Sequence, residues 1–492
     1  MTRRTRKEHK VMRFISTILW LATIAAIGYF TYGAYKSNMI PTKYYFAIGG
    51  IVIFLIIIYF LFVSNKRTKI WIFILNDLLF IALIFGCYFG YGKLHDVVIF
   101  INENLDARYE TNIYFFLVNS ESSIQKLEDI KGKKITLVDD IENKEELERN
   151  IGKKIEVEYN YVDVISTALY DLETNKDLIL FVNSGNYDAM LEDNPEYESK
   201  TKVLDNLEIK IRLENEETGL DITEDPFILY LTGIDTRSNS LPAKSLSDVN
   251  LLVIINPNTK KILMVNTPRD FYVKIHGTSG YDKLTHAGLT GGLKTSLGTI
   301  QDLYGIKVNY YMRVNFNALI KLVDAIDGIT IYNDKKSTIK CWTDPYCKIK
   351  PGYNDVDGRC ALAFARERKA YTQGDRHRGE NQEQVLTKII EKASNSKTIL
   401  TKSSDILKSL EGTFETNLKP EEITNVIKMQ LDKMPKWEIS TYNVSGTDDY
   451  RETRSYPGRE LYVMVPDQKT IKKAKEKINK MLEKDSEEKK DK

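Results

Sequence analysis

Three long apolar runs lie within the first hundred residues, and they limit what this chain can fold into more than any other feature. They are "FISTILWLATIAAIGYFTYGAY" (14–35), "YYFAIGGIVIFLIIIYFLFV" (44–63) and "WIFILNDLLFIALIFGCYFGYG" (71–92). Each has the roughly twenty residues a helix needs to cross a bilayer. Three buried core helices in succession, joined by such short connections, would be unusual in a globular domain. Tyr44, Tyr45, Trp71 and Tyr91 stand at the run ends, where membrane interfaces favour aromatic rings.

The basic residues suggest an orientation. Arg3, Arg4, Arg6, Lys7, Lys10 and Arg13 precede the first run, and Lys66, Arg67 and Lys69 fill the second connection. The positive-inside rule puts both on the cytoplasmic side. The N-terminus is then cytoplasmic, and everything after residue 92 is extracellular on a three-span, multi-pass membrane protein. A cleaved signal peptide is disfavoured, because the first run is too long and lacks a small-x-small exit. Asp77, inside the third run, has no partner cation in the other spans; it is expected to face the bundle or the interface.

With a net charge of +2, the chain carries no global basic field, which opposes nucleic-acid binding. Only five histidines are present, and none stands at zinc-ligand spacing from the cysteines. Cys341 and Cys347 close the short loop "CWTDPYC", so a disulfide between them is plausible on the extracellular side; Cys360 stands alone.

The outer part divides in two. Residues 93–217 alternate strand-like and helix-like segments, an α/β accessory domain with no catalytic constellation. "NIYFFLVN", "KITLV", "KIEVEYNYV" and "DLILFVN" read as strands. "SSIQKLEDIKGK" reads as a serine-capped helix, "KEELERNIG" as a helix ending at glycine, and "VISTALYDLETN" as a further helix. The acidic stretch "ENEETGLDITEDP" reads as a linker. Residues 218–481 form a second α/β domain, and 482–492 a disordered tail.

Four arginines crowd into 366–378, as "ARER" and "GDRHRG". A solvated surface would explain them, and so would a pocket for a doubly negative group such as a diphosphate. Arginine suits the pocket because its planar fork pairs phosphate oxygens and stays charged.

The ordered set "GIDTR", "SDVN", "NTPRDFYV", "YDKLTHA", "VDAIDGITI", "ALAFARER" and "GDRHRGENQ" resembles the LytR-CpsA-Psr family of Gram-positive cell-wall enzymes. The three spans and accessory domain are similar to its capsule-associated branch. The resemblance implies a central mixed sheet flanked by helices. It also implies magnesium-assisted transfer of a glycopolymer (capsular polysaccharide, teichoic acid or similar) from undecaprenyl diphosphate to peptidoglycan, as a phosphodiester. It places Asp235 and Asp248 at the metal, and Arg269, Arg366, Arg368 and Arg378 at the diphosphate, with Arg237, Lys283 and Gln382 in support. Asp270 and Asp375 would orient arginines or take a proton. Arg376 and His377 read as surface. Two positions depart from the family pattern. Asp327 is expected to alter a turn, and Asn381, where many members carry arginine, removes one phosphate contact. A polyprenyl-diphosphate phosphatase, or a non-catalytic regulator that binds polyprenyl phosphate or wall glycan, remains an alternative.

Overall fold

A computed structural model describes residues 3–65, 67–105, 109–138, 144–162, 165–212, 218–234, 241–372 and 374–483. The chain forms two compact units. One comprises residues 1–106, 393–408 and 419–436; the other comprises 107–392, 409–418 and 437–492.

In the first unit, the apolar runs form the helices Arg3–Ser37, Thr42–Ile58 and Ile70–Leu105, and a π turn carries the second on to Val63. All three are long and apolar enough to cross a membrane. The third outruns the apolar core of its sequence because nothing in "KLHDVVIFINENL" breaks a helix after residue 92. Ile27, Leu55, Ile58, Phe73 and Phe80 pack between them. Asp77 is buried in the bundle beside Asn76.

The second unit holds two sheets. The accessory sheet has the strand order 158–162, 134–138, 179–183, 109–119, 201–212. Its first three strands run parallel and the last two antiparallel. Three local expectations need correcting. "SSIQKLEDIKGK" makes only the 3-10 turn Leu127–Ile130, because Asp129 turns back to accept from the backbone of Gln125 and Lys126. The helix Lys144–Lys154 runs through Gly152 rather than ending there. The strand in "KIEVEYNYV" is only Glu158–Val162. The helix Ser184–Asp193 and the long strand Thr201–Arg212 complete the sheet's surroundings.

The larger sheet is mixed, with the order 414–416, 310–315, 227–234, 247–256, 261–266, 438–443. Strands 227–234, 247–256 and 261–266 form an antiparallel meander. Strand 310–315 pairs parallel to 227–234, and 438–443 parallel to 261–266. The run "NLLVIIN" is apolar on both faces because both are covered. Leu252 and Ile254 pack against Leu293, Ile300, Ile471 and Ile478 from the helices Ala287–Tyr304 and Gln468–Leu482. Leu251 and Val253 meet Leu386 and Ile390 on the opposite side, from the helix Asp375–Ala393. The pairing aligns the ends Ile234, Ser247, Asn266, Asn315 and Asn443 along one edge. Ligands of open α/β sheets gather beyond the carboxyl ends of the strands.

The cysteine expectation is overturned. Cys347 bonds to Cys360, and Cys341 is a buried free thiol. The strand pair Ile339–Lys340 and Lys348–Ile349 already closes the loop with hydrogen bonds, and the helix Gly358–Ala365 carries Cys360 up to Cys347.

Candidate functional site

Asp248 is the second residue of strand Ser247–Asn256, and Arg269 follows the end of strand Lys261–Asn266. Leu251 pairs with Asn266, so both side chains reach the same sheet edge. There Arg269 Nη1 donates to Asp248 Oδ1 at 2.8 Å, with both side chains only 10% exposed. Thr285 Oγ1 donates to the same oxygen at 3.4 Å. Asp270 lies between two cations, with Arg269 Nε at 3.8 Å and Lys283 Nζ at 3.5 Å. The backbone here is pinned: Thr285 N donates to Arg269 O at 2.9 Å, and Met464 N to Asp270 O at 2.7 Å.

Arg366 caps the helix Gly358–Ala365, with its guanidinium 4.5 Å from the centre of the Phe316 ring. Arg378 is buried in the first turn of Asp375–Ala393. Gly379 lets that turn approach the sheet, since a Cβ there would collide with Asn266 Nδ2. The electrostatics tie these arginines to the sheet edge. Burial alone would push the Asp248 carboxyl up. The charges of Arg269 and Arg378, the Arg269 hydrogen bond and the charge of Arg366 outweigh it and hold the group below its ordinary range. Among the described residues, four cations (Arg269, Lys283, Arg366, Arg378) gather about two carboxylates (Asp248, Asp270) in a largely buried place.

The other expected residues divide. Gln382 is half-buried one helical turn beyond Arg378. Arg368 turns instead to Trp342, 5.3 Å from its ring. Asp375 opens its helix, and its side chain lies outside the described residues, as do Asp235 and Arg237. Arg376 is exposed and braces the neighbouring hairpin through Gly446 O at 2.7 Å and Asp448 at 3.2 Å. His377 pairs with Glu380 at 2.9 Å. Asp327 occupies a left-handed turn position, φ 61°, as its effect on a turn required. Asn381 is buried and donates to Phe364 O at 3.1 Å, tying its helix to the segment before Arg366.

Several supporting residues escape a reading by motif. Fully buried Glu367, between the two arginines of "RER", accepts from Trp342 N and Ala370 N, each at 2.8 Å. Asp282 and His286 pair at 2.6 Å, and Asp282 also accepts from Ser455 N at 2.8 Å. Their i, i+4 spacing within "YDKLTHA" was the available signal; Ser455 comes from a distant hairpin and gave none.

No group of three or more His, Cys, Asp or Glu side chains is arranged to hold a metal among the described residues. A magnesium ion needs fewer protein ligands when phosphate and water complete its shell. Among the described residues, Arg269 and Thr285 both donate to Oδ1 of Asp248, and Oδ2 is the carboxylate oxygen that would face such an ion. That donor set is compatible with such an ion.

Residues 185–480 match the model of the LytR_cpsA_psr family. Biofilm regulatory protein A of Streptococcus mutans is 32% identical over 49% of this chain and 62% of its own length. The polyisoprenyl-teichoic acid–peptidoglycan teichoic acid transferase TagU of Bacillus subtilis is 33% identical over 46% of this chain and 70% of its own length. Among solved structures, protein gbs0355 of Streptococcus agalactiae matches with TM-score 0.47 and 27% identity, covering 55% of this chain and 91% of that one. The family match spans more than half the chain and contains every described residue of the sheet-edge site, so this protein is a member of the LytR_cpsA_psr family.

Proposed function

We propose that the protein is a membrane-anchored transferase that moves a glycopolymer from a polyprenyl diphosphate to peptidoglycan. The observation that carries this reading is the convergence of Arg269, Arg366 and Arg378 on buried Asp248 at the sheet edge, because guanidinium forks in such a place suit the oxygens of a lipid diphosphate. The TagU relative bears the name of a teichoic acid transferase, which supports the same reaction class.

In this reading, the acceptor hydroxyl oxygen forms a bond to the sugar-bearing phosphorus. The phosphoanhydride bond to the lipid phosphate breaks, and its electron pair leaves on polyprenyl phosphate while the hydroxyl proton goes to solvent. The protein's part is alignment and neutralisation of phosphoryl charge by Arg269, Arg366 and Arg378. Asp270 holds Arg269 and Lys283 in place. Asp248, with Asp235, would hold a magnesium ion, which would supply further neutralisation of the phosphate oxygens. The basic residues before the first span and before the third favour a cytoplasmic N-terminus, with this site outside the membrane.

The test uses the full chain in lipid nanodiscs with a polyprenyl-diphosphate-linked saccharide and magnesium, with and without a peptidoglycan oligomer. A glycan-linked phosphodiester is expected, with kcat/KM falling roughly 10²–10³-fold in Arg269→Ala. Lipid phosphate released without an acceptor product would point to a phosphatase. Tight binding without turnover would point to a regulator.

A further inference from the structure

The loop Cys341–Cys347 is built more firmly than a connection requires. The Cys347–Cys360 disulfide ties it to the helix that ends at Arg366. Inside the loop, Cys341 N donates to Cys347 O at 3.2 Å, Asp344 N to Cys341 O at 3.3 Å and Cys347 N to Asp344 O at 3.0 Å. Arg359 pairs with Asp344 at 2.8 Å, and buried Glu367 accepts from Trp342 N. Yet the two largest side chains of this braced loop face water: Trp342 is 42% exposed and Tyr346 85%. A rigid element that buries its cysteines and displays its aromatics presents those rings to something.

Its position indicates what that is. Trp342 Nε1 donates to the backbone oxygen of Arg366 at 3.3 Å, and Lys369 lies 4.5 Å from the Trp342 ring. The charge of Arg366 reaches Asp248 at the sheet edge. The indole therefore adjoins the arginine segment directly. In the segments that enter and leave the loop, Lys336, Lys340, Lys348 and Lys350 are exposed, a basic margin suited to an acidic polymer.

We propose that Trp342, assisted by Tyr346 in the same loop, is the stacking platform for the sugar joined to the lipid diphosphate. This rests on the reading of the arginine site as the diphosphate site. A sugar 1-diphosphate has its ring one bridging oxygen from phosphorus, so a phosphate held by the arginine segment carries its sugar toward the indole that donates to the Arg366 backbone and meets Arg368 and Lys369 over its ring. The apolar C–H face of the ring lies on the aromatic face, and acidic groups further along the polymer meet the lysines. An acceptor glycan enters in line with the departing lipid phosphate and has no such covalent link to the Arg366 side.

The full chain in nanodiscs would be titrated with farnesyl diphosphate and with farnesyl diphosphate bearing an acidic disaccharide, using wild type, Trp342→Ala, Trp342→Phe and Tyr346→Ala. The disaccharide is expected to tighten binding to wild type. Trp342→Ala should lose about tenfold of that gain while its affinity for farnesyl diphosphate stays unchanged, and Trp342→Phe should keep most of it. Equal weakening of both ligands would show that the loop only supports the arginines and would overturn the platform. So would no change in either, or a change confined to the half-saturating concentration of a soluble peptidoglycan fragment. If wild type binds neither diphosphate, the reading of the arginine site fails instead. A disaccharide 1-phosphate titrated against wild type and Trp342→Ala then decides the platform: binding that depends on Trp342 supports it, and binding that does not overturns it.

Discussion

Glu383 shows how a single buried group can make the fold around the site depend on pH. Its Oε2 accepts from Asn443 Nδ2 at 3.0 Å, and Asn443 Oδ1 accepts from Asn266 Nδ2, also at 3.0 Å. The chain of contacts joins the helix bearing Arg378 to the strand end that leads to Arg269. Burial pushes the Glu383 carboxyl up to about 7. In the unfolded chain it ionises near its ordinary value of about 4.3. Between those values folding takes up a proton, so the folded state loses stability as pH rises from about 4 to 7, and loses no more above that. The change from this group is at most ~4 kcal/mol, at ~1.4 kcal/mol per pH unit. Asp248 has the opposite sign: held low, it stabilises the fold above about pH 4, and that contribution is lost as pH falls through its depressed folded value. Glu383→Gln keeps an acceptor for Asn443 and removes the proton. Thermal unfolding at pH 5 and pH 8 should therefore show a smaller loss of Tm at the higher pH in the variant than in wild type. An identical pH dependence in the two would mean that the carboxyl is ionised in the fold.

Elements were legible in the sequence where the pattern was long and the cause local. The three apolar runs became three helices, and "FILYLTGI", "LLVIIN" and "KILMVN" became the central meander, because runs bounded by turn residues leave little choice. Asp248, Arg269, Lys283, Arg366 and Arg378 were legible as candidates from ordered motifs, and the meander brings the first two together. What stayed hidden depended on contacts between distant segments. Glu383 and Asn443 are separated by sixty positions. Arg368 was expected at the phosphate as part of the motif "ALAFARER", but the cysteine loop supplies Trp342, and the arginine's guanidinium lies against that ring. The disulfide illustrates the same limit. A six-residue separation favoured Cys341–Cys347, yet the Cys341 thiol only lies 3.4 Å from Cys347 Sγ, which is bonded to Cys360. Burial, then Glu367 and Asp344, push the Cys341 thiol up to about 12, so it is a poor nucleophile toward that bond. Alkylation of unreduced, denatured protein is expected to label Cys87 and Cys341, with a Cys347–Cys360 crosslinked peptide in the digest. Label on Cys360 with a Cys341–Cys347 crosslink would restore the shorter loop.

At the scale of the whole molecule, the decisive variable is how many times the chain crosses the membrane. The substrate proposed for the sheet edge is a glycopolymer on a lipid diphosphate and its proposed acceptor is peptidoglycan of the cell wall, so the proposal requires that edge on the outer side. An odd number of crossings from a cytoplasmic N-terminus puts it there, and an even number would not. The helix Ile70–Leu105 is 36 residues long, about 54 Å at 1.5 Å per residue, against a hydrocarbon core of about 30 Å. It therefore has length to cross and still project beyond the lipid. At its far end, Lys93 pairs with Asp405, and Asp96 with Lys408, each at 2.7 Å. Ion pairs between flexible, partly exposed side chains have no place in hydrocarbon, so this end belongs in water. The opposite end follows Arg67 and Lys69, basic residues that favour a cytoplasmic connection in the proposed orientation. Single cysteines in a Cys87→Ser, Cys341→Ser background, probed in intact cells with a membrane-impermeant maleimide, should resolve the crossings. Positions 38 and 96 are expected to label from outside, and position 67 only after the cells are opened. Labelling of position 67 in intact cells, or protection of position 96, would reverse the orientation and place the arginine site where no wall acceptor can reach it.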